Sequence, residues 1–169
     1  LKESILNFYD LTLKANYNIN EENRIYLSGY FGRDNFGFGE SAGFNWGNST
    51  GILRWNHLFS DRLFSNFTVY YSDYDYRISF GDDAVNKFTW KANIENFSVK
   101  PEFTYFINPQ NRLRFGGQAI QYTFSPGTAI GISEGETTDV SLDKKFGVES
   151  AAYLEIEQDL SEAVSLNYG

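Results

Sequence analysis

Apolar and polar residues alternate along several stretches of this chain. Over 8–18, Tyr9, Leu11, Leu13, Ala15 and Tyr17 share one parity, and Asp10, Thr12, Lys14, Asn16 and Asn18 share the other. A period of two is that of an extended strand, whose successive side chains point to opposite faces. The same rule predicts strands over 24–33, 51–59, 63–73, 90–106, 113–124, 147–158 and 163–169. The second sets Ile25, Leu27, Gly29 and Phe31 against Arg24, Tyr26, Ser28 and Tyr30. In the fourth, Leu63, Phe67, Val69 and Tyr71 oppose Asn66, Thr68 and Ser72, and in the seventh, Ala152, Leu154 and Ile156 oppose Glu155 and Glu157. Pro101 falls mid-strand on the apolar parity of the fifth. Proline cannot donate to a ladder, so a bulge is expected there.

Four junctions repeat one short turn, near 19–24, 59–63, 107–113 and 159–163, built from Asn, Ser, Asp and Glu. Arg24, Arg62 and Arg112 lie in three of these turns at unequal spacings, so the repeat is a hairpin and not a fixed-period solenoid or propeller. The other junctions, 34–50, 74–89 and 125–146, are long and rich in Gly, Asn and carboxylates, and are read as loops. Short turns at one end and long connections at the other are the layout of an outer-membrane β-barrel.

The polar parity carries full charges: Asp10, Lys14, Arg54, Lys100, Glu102, Arg114, Glu155 and Glu157. In a soluble sandwich these would face water while the apolar parity filled a shared core. In a barrel the apolar parity meets lipid and the charged one a wet or plugged lumen. Strand length favours the barrel, since sandwich strands run about 5–6 residues and tilted membrane strands about 9–11. The expected fold class is therefore all-β, an antiparallel up-and-down transmembrane β-barrel wall of about eight strands. Leu13, Phe31, Leu53, Val69, Phe103 and Leu154 are expected to face lipid. Lys14, Arg54, Lys100, Glu102, Arg114, Glu155 and Glu157 are expected on the other side, in pairs of opposite sign.

Composition agrees. Mean hydropathy is only -0.42, and no apolar run is long enough for a transmembrane helix, but strands with one apolar face escape such averages. Aromatics reach 18%, and Tyr and Trp suit membrane interfaces. The absence of cysteine excludes disulfides and Cys-ligated zinc within this sequence. A net charge of -8 argues against a nucleic-acid partner. No signal peptide is recognisable at Leu1, so the sequence reads as mature chain or part of one.

Candidate chemistry is sparse. His57, the only histidine, lies beside Trp55 and Phe59, with no G-x-S-x-G nucleophile motif anywhere, and is read as a structural, interfacial residue. Asp73, Asp75, Asp82 and Asp83, and likewise Glu134, Glu136, Asp139 and Asp143, lack EF-hand spacing and are read as solvated acidic loops. Gly37, Gly39 and Gly43 precede no helix and make no phosphate cradle. No catalytic residue, metal site or cofactor is expected. The ligand-contact candidates are Phe36, Phe38, Phe44, Trp46, Tyr74 and Tyr76, whose rings could stack on a sugar, a peptide or an iron chelator, or on one another.

Three segments carry a family resemblance: Val99-x-Pro101-x-Phe103-x-Tyr105, Asn111-Arg112-Leu113-Arg114-Phe115-Gly116 and Gln121-Tyr122-Thr123-Phe124-Ser125-Pro126-Gly127. With the ending Val164-Ser165-Leu166-Asn167-Tyr168-Gly169, they resemble the barrel of TonB-dependent outer-membrane receptors, in the branch with a carboxypeptidase-regulatory-like N-terminal domain. The resemblance implies a segment of a 22-stranded barrel around a plug, in the outer membrane of a Gram-negative bacterium, importing scarce nutrients. It implies as partners the surrounding lipid, the remaining barrel and plug, TonB acting through a segment not in this sequence, and a surface lipoprotein. Neither the plug nor the energy-coupling box maps onto any residue here. The alternatives are a complete eight-stranded barrel with a structural or adhesive role, a membrane-embedded lipid hydrolase, and a soluble sandwich. A complete small barrel requires its first and last strands to pair.

Overall fold

A computed structural model describes residues 4–39, 41–82 and 86–169. They form one antiparallel sheet of nine strands. The strands are β1 (Ser4–Asn18), β2 (Asn23–Phe38), β3 (Ala42–Ser60), β4 (Leu63–Asp82), β5 (Asn86–Asn108), β6 (Asn111–Ser133), β7 (Glu136–Ser141), β8 (Lys145–Ser161) and β9 (Val164–Tyr168). Each pairs with its neighbour in sequence, except that β7 and β8 both pair with β6. The short β7 lies against 128–133 and β8 against 111–124. Together they are one long seventh strand broken at 142–144, which reconciles nine observed strands with eight expected.

All eight expected strands are present, and all but the last are longer than the alternation implied. Within the stretches expected as loops, 34–38, 42–50 and 74–82 are laddered strand, as are 125–133 and 136–141. Phe38 pairs with Ala42 and Ser133 with Glu136, so the hairpins close through very short connections. At the β6–β7 tip, Glu134 and Gly135 both take left-handed φ, 51° and 83°, the conformation that a two-residue type I′ turn requires. The Gly and Asn content that suggested loops is therefore hairpin-tip and ladder chemistry. Asp83 lies outside the described residues.

The four repeated turns share one device. A side chain of the departing strand or turn accepts from the backbone N–H two residues on: Asn20 Oδ1 from Glu22 (3.1 Å), Ser60 Oγ from Arg62 (3.3 Å), Asn108 Oδ1 from Gln110 (3.0 Å) and Ser161 Oγ from Ala163 (3.3 Å). These are Asx- and Ser-type turns, the local competitor to a strand ladder that ends the strand on cue. Three carbonyls at these turns also tie to the next hairpin: Leu58 N–H donates to Glu22 O, Phe106 N–H to Arg62 O and Asp159 N–H to Gln110 O, at 2.9, 2.8 and 2.8 Å.

No bulge occurs at Pro101. Val99 faces Ala119 and Glu102 faces Gly116, so the register passes the proline unshifted. The ladder omits Lys100 and Pro101 on the β6 side, where the missing N–H would have pointed, and this removes the need for a bulge. Shifts occur instead at Leu58/Ser60, Lys91/Asn93, Phe106/Asn108 and Asp159/Ser161. Across from Glu102 and close to the proline, a Cβ on Gly116 would stand 2.6 Å from the Pro101 carbonyl and 3.0 Å from the Tyr153 ring. Gly116→Ala is expected to destabilise the sheet by about 1–3 kcal/mol and to dislodge Tyr153 from Glu102. The denaturant midpoint and the Tyr153 environment in ultraviolet difference spectra check this.

Register places the apolar parity on one face of the whole sheet. Residues directly opposite in an antiparallel ladder share a face. Leu13 faces Gly29, Leu27 faces Leu53, Leu53 faces Val69, Val69 faces Val99, Phe103 faces Phe115, and Phe115 faces Leu154. No second layer covers them: Leu13, Leu53 and Leu154 are 65%, 46% and 58% exposed. Ala92 is the only buried apolar side chain among the described residues. A soluble sandwich is thereby set aside, because a sandwich buries this face against another sheet. The sheet is also open. Among the described residues neither β1 nor β9 has a second partner, and they do not pair with each other as a small closed barrel would require.

Candidate functional site

At the short-turn end the second face is a polar network. Lys100 pairs with Glu102 at 3.1 Å and Arg114 with Glu155 at 3.6 Å, and Arg112 forms a charge-assisted hydrogen bond to Glu157. Tyr153 Oη donates to Glu102 (3.0 Å) and Asn167 Nδ2 to Glu155 (2.7 Å). The Arg54 guanidinium lies 5.5 Å from the centre of the Tyr26 ring. The expected charges do share one face, opposite Leu13 and Leu53, and most find partners there. All are part-exposed, so the network is a wet one in which each pair contributes little to stability.

The first face carries a ring ladder near the same turns. Trp55 and Phe67 stack with centroids 5.5 Å apart, Phe67 meets Phe103 edge-on at 5.5 Å, and Phe103 stacks on Phe115 at 5.1 Å. His57 belongs to this ladder, edge-on to Phe59 at 4.3 Å. Asn23 Oδ1 accepts from both Trp55 Nε1 (3.0 Å) and His57 Nδ1 (2.8 Å). That contact places the proton on Nδ1. Ser65 is the register partner of His57, yet its buried Oγ makes no hydrogen bond, so the two do not form a nucleophile–base pair.

Towards the other end, the polarity of the two faces reverses. On the first face, apolar Tyr71 and Phe97 give way to Asp73 and Glu95, then Asp75 and Asn93, then Arg77 and Lys91, each a directly opposed pair. Arg33 reaches across β3 to Asp75 in two hydrogen bonds of 2.5 and 2.9 Å. It passes over Gly47, where a Cβ would stand 2.8 Å from the guanidinium.

On the second face the reverse happens, and here the six candidate aromatics come together. Phe36 faces Phe44, Trp46 faces Tyr76, and Asn48 faces Tyr74, so all six occupy one face of β2, β3 and β4. Phe36 meets Phe38 edge-on at 4.3 Å, Phe44 lies tilted on Trp46 at 4.7 Å, and Phe44 meets Tyr76 at 6.5 Å. Phe38, Phe44 and Tyr74 remain exposed. The surface extends beyond these six. Ile78 faces Trp90 and Phe80 faces Phe88 across β4 and β5, and Ile94 faces Phe124 across β5 and β6. Of these, Ile78, Phe80 and Phe88 lie in 74–89, the segment whose composition suggests loop; the strand parity carried on through Tyr74, Tyr76, Ile78 and Phe80 places them on this face.

The described acidic residues are engaged singly or stand exposed. Asp75 is engaged by Arg33, and Asp73 and Glu95 share the Asn93 amide at 3.3 and 3.4 Å. Glu134, Glu136, Asp139 and Asp143 are exposed. Among the described residues no group of three or more His, Cys, Asp or Glu could hold a metal ion.

No family model matches the chain and no curated protein matches it. Solved structures do. The chain is similar to the ferric yersiniabactin uptake receptor FyuA of Yersinia pestis, with a TM-score of 0.70 at 13% identity, over 92% of this chain and 26% of that one. It is similar also to BauA, the ferric preacinetobactin receptor of Acinetobacter baumannii, with a TM-score of 0.61 at 11% identity, over 94% of this chain and 32% of that one. The chain thus has the fold of a TonB-dependent receptor's barrel wall, as the sequence resemblance implied, and spans about a quarter to a third of the length of these receptors.

Proposed function

We propose that this chain is part of the wall of an outer-membrane TonB-dependent receptor that captures and imports a scarce nutrient. One observation carries the reading: an apolar face that runs across the whole sheet with no core to cover it. Lipid is the solvent that such a face requires. Along β4 the apolar run from Leu63 to Tyr71 spans about nine residues, matching the length a tilted strand needs to cross the hydrocarbon. The open edges of β1 and β9 pair with further barrel strands, because unpaired backbone groups are costly in lipid. The charged face looks into the lumen and lies against a plug.

The aromatic surface of Phe36, Phe38, Phe44, Trp46, Tyr74 and Tyr76 then lines the outer mouth of that lumen and contacts the ligand. Ferric chelates, the ligands in the names of both similar receptors, are the first class to test. Cells lacking the gene are compared with wild-type cells for uptake of a panel of iron-55 chelates, each with and without TonB. The reading expects loss of uptake of at least one chelate, with the same loss when TonB is absent. Uptake of every chelate at the wild-type rate removes iron as the cargo. Loss of uptake that is indifferent to TonB overturns the energised mechanism.

A further inference from the structure

The aromatic surface on the second face carries a carboxylate that nothing nearby neutralises. Across β1 to β4 one level of the ladder reads Phe8, Asp34, Trp46 and Tyr76, each directly opposed to the next. Phe36 follows Asp34 on the same face of β2 and opposes Phe44. Asp34 is therefore set among rings on three sides. Its sequence neighbour Arg33 points to the other face and is taken by Asp75. No basic side chain lies within ion-pair distance of Asp34 among the described residues.

The rest of this surface repeats the imbalance. One level of the ladder runs through Thr12, Tyr30, Thr50, Ser72 and Asn96. From there outwards, the described residues of β1 to β5 on this face include no lysine or arginine, whereas the opposite face holds Arg33, Arg77 and Lys91. Asp10 opposes Gly32 one level nearer the apolar band, so a second carboxylate stands on the diagonal from Asp34. At that level Asn48 opposes Gly32 and Tyr74, and its buried side-chain oxygen has no hydrogen-bond partner. Carboxylate and amide oxygens both accept hydrogen bonds, so what this surface lacks is a cationic donor.

We propose that this surface selects a ligand bearing an organic ammonium group, which seats against Asp34 with its carbon skeleton on Phe8, Trp46 and Tyr76; the proposal rests on the reading of the aromatic surface as the ligand contact. The faces of the rings are negative and attract a cation. The Asp34 carboxylate adds a charge-assisted hydrogen bond. Register partners stand about 5 Å apart at Cβ, so one ammonium reaches the carboxylate while lying within the ~6 Å over which a ring face attracts it. A ligand body laid over the rings excludes water and strengthens the pairing. Rings and carboxylate thus favour the same ligand charge, and both repel an anion. Among ferric chelates, those with a free amine are preferred over those of net negative charge.

The test uses the full-length protein, purified in detergent, and a set of probes that share a dansyl group on a short alkyl arm. The arm ends in an ammonium, in the same amine N-acetylated, or in a carboxylate. Affinity is read from dansyl anisotropy. The wild type is expected to bind the ammonium probe about tenfold tighter than the acetylated one, with the carboxylate probe weakest. Asp34→Asn, nearly identical in shape, is expected to abolish that preference and to leave the acetylated probe unchanged. Equal affinity of the wild type for all the probes, or a preference that survives Asp34→Asn, overturns the cation site. The Trp46→Ala, Tyr76→Ala double variant separates the two readings. Weaker binding of both the ammonium and the acetylated probe there, with no effect of Asp34→Asn, sinks the cation site alone. Unchanged binding in the double variant, or no binding of any probe, sinks the ring surface as a ligand contact and the cation site with it.

Discussion

Arginine at Val69 is expected to destabilise the folded wall by about 2–4 kcal/mol, the cost of a cation on a lipid-facing strand near the bilayer midplane. Val69 is the sharpest position for this test because its register partners on both sides, Leu53 and Val99, are apolar as well. An arginine there has no neighbour to pair with and no short path to water. Thr68, one residue away, points to the other face between Arg54 and Lys100. Thr68→Glu therefore places a carboxylate between two cations and is expected to change stability by less than about 1 kcal/mol, in the stabilising direction. Urea unfolding of the protein reconstituted in vesicles measures both. Equal costs at the two positions would mean that the faces see the same solvent.

The double substitution Trp46→Ala and Tyr76→Ala is expected to weaken ligand binding by about a hundredfold. Each ring contributes roughly 1.4 kcal/mol of apolar burial and stacking against a bound ligand, and about 2.8 kcal/mol together is a factor of a hundred. The two residues are register partners on one face of β3 and β4, so they shape one contact. Trp55→Ala removes an equally large ring from β3, but from the opposite face and the opposite end, and is expected to leave affinity unchanged. Isothermal titration with the chelate identified by the uptake panel checks both. A Trp55 effect as large as the double substitution would move the ligand off the aromatic surface.

Much of the fold was legible because a strand that separates two solvents must alternate. Over 8–18 every second residue is apolar, and over 63–71 every second residue but Ser65 is, and the register places these parities on one face of the sheet. The four turns were legible too, since Asn20, Ser60, Asn108 and Ser161 sit where a side-chain acceptor ends a strand. The long hairpins were not. Beyond Tyr71 the apolar parity passes to the other face, through Asp73, Asp75 and Arg77 on one side and Tyr74, Tyr76 and Ile78 on the other. A strand with water on one side and a ring-lined surface on the other still alternates, but with the phase reversed. Read with a fixed phase, it looks like loop. The candidate aromatics were individually visible, whereas their assembly on one face depended on pairings such as Phe36 with Phe44 that composition does not encode.

The central claim, that one face of this sheet meets lipid, is tested most directly along β4. The sequence has no cysteine of its own, so single cysteines at Asn66, Phe67, Thr68, Val69, Tyr70 and Tyr71 can each carry a fluorophore in the reconstituted receptor. Quenching by nitroxide placed on the lipid acyl chain is expected at Phe67, Val69 and Tyr71 and absent at Asn66, Thr68 and Tyr70. Quenching that does not alternate, or that falls on the even positions, would contradict the account.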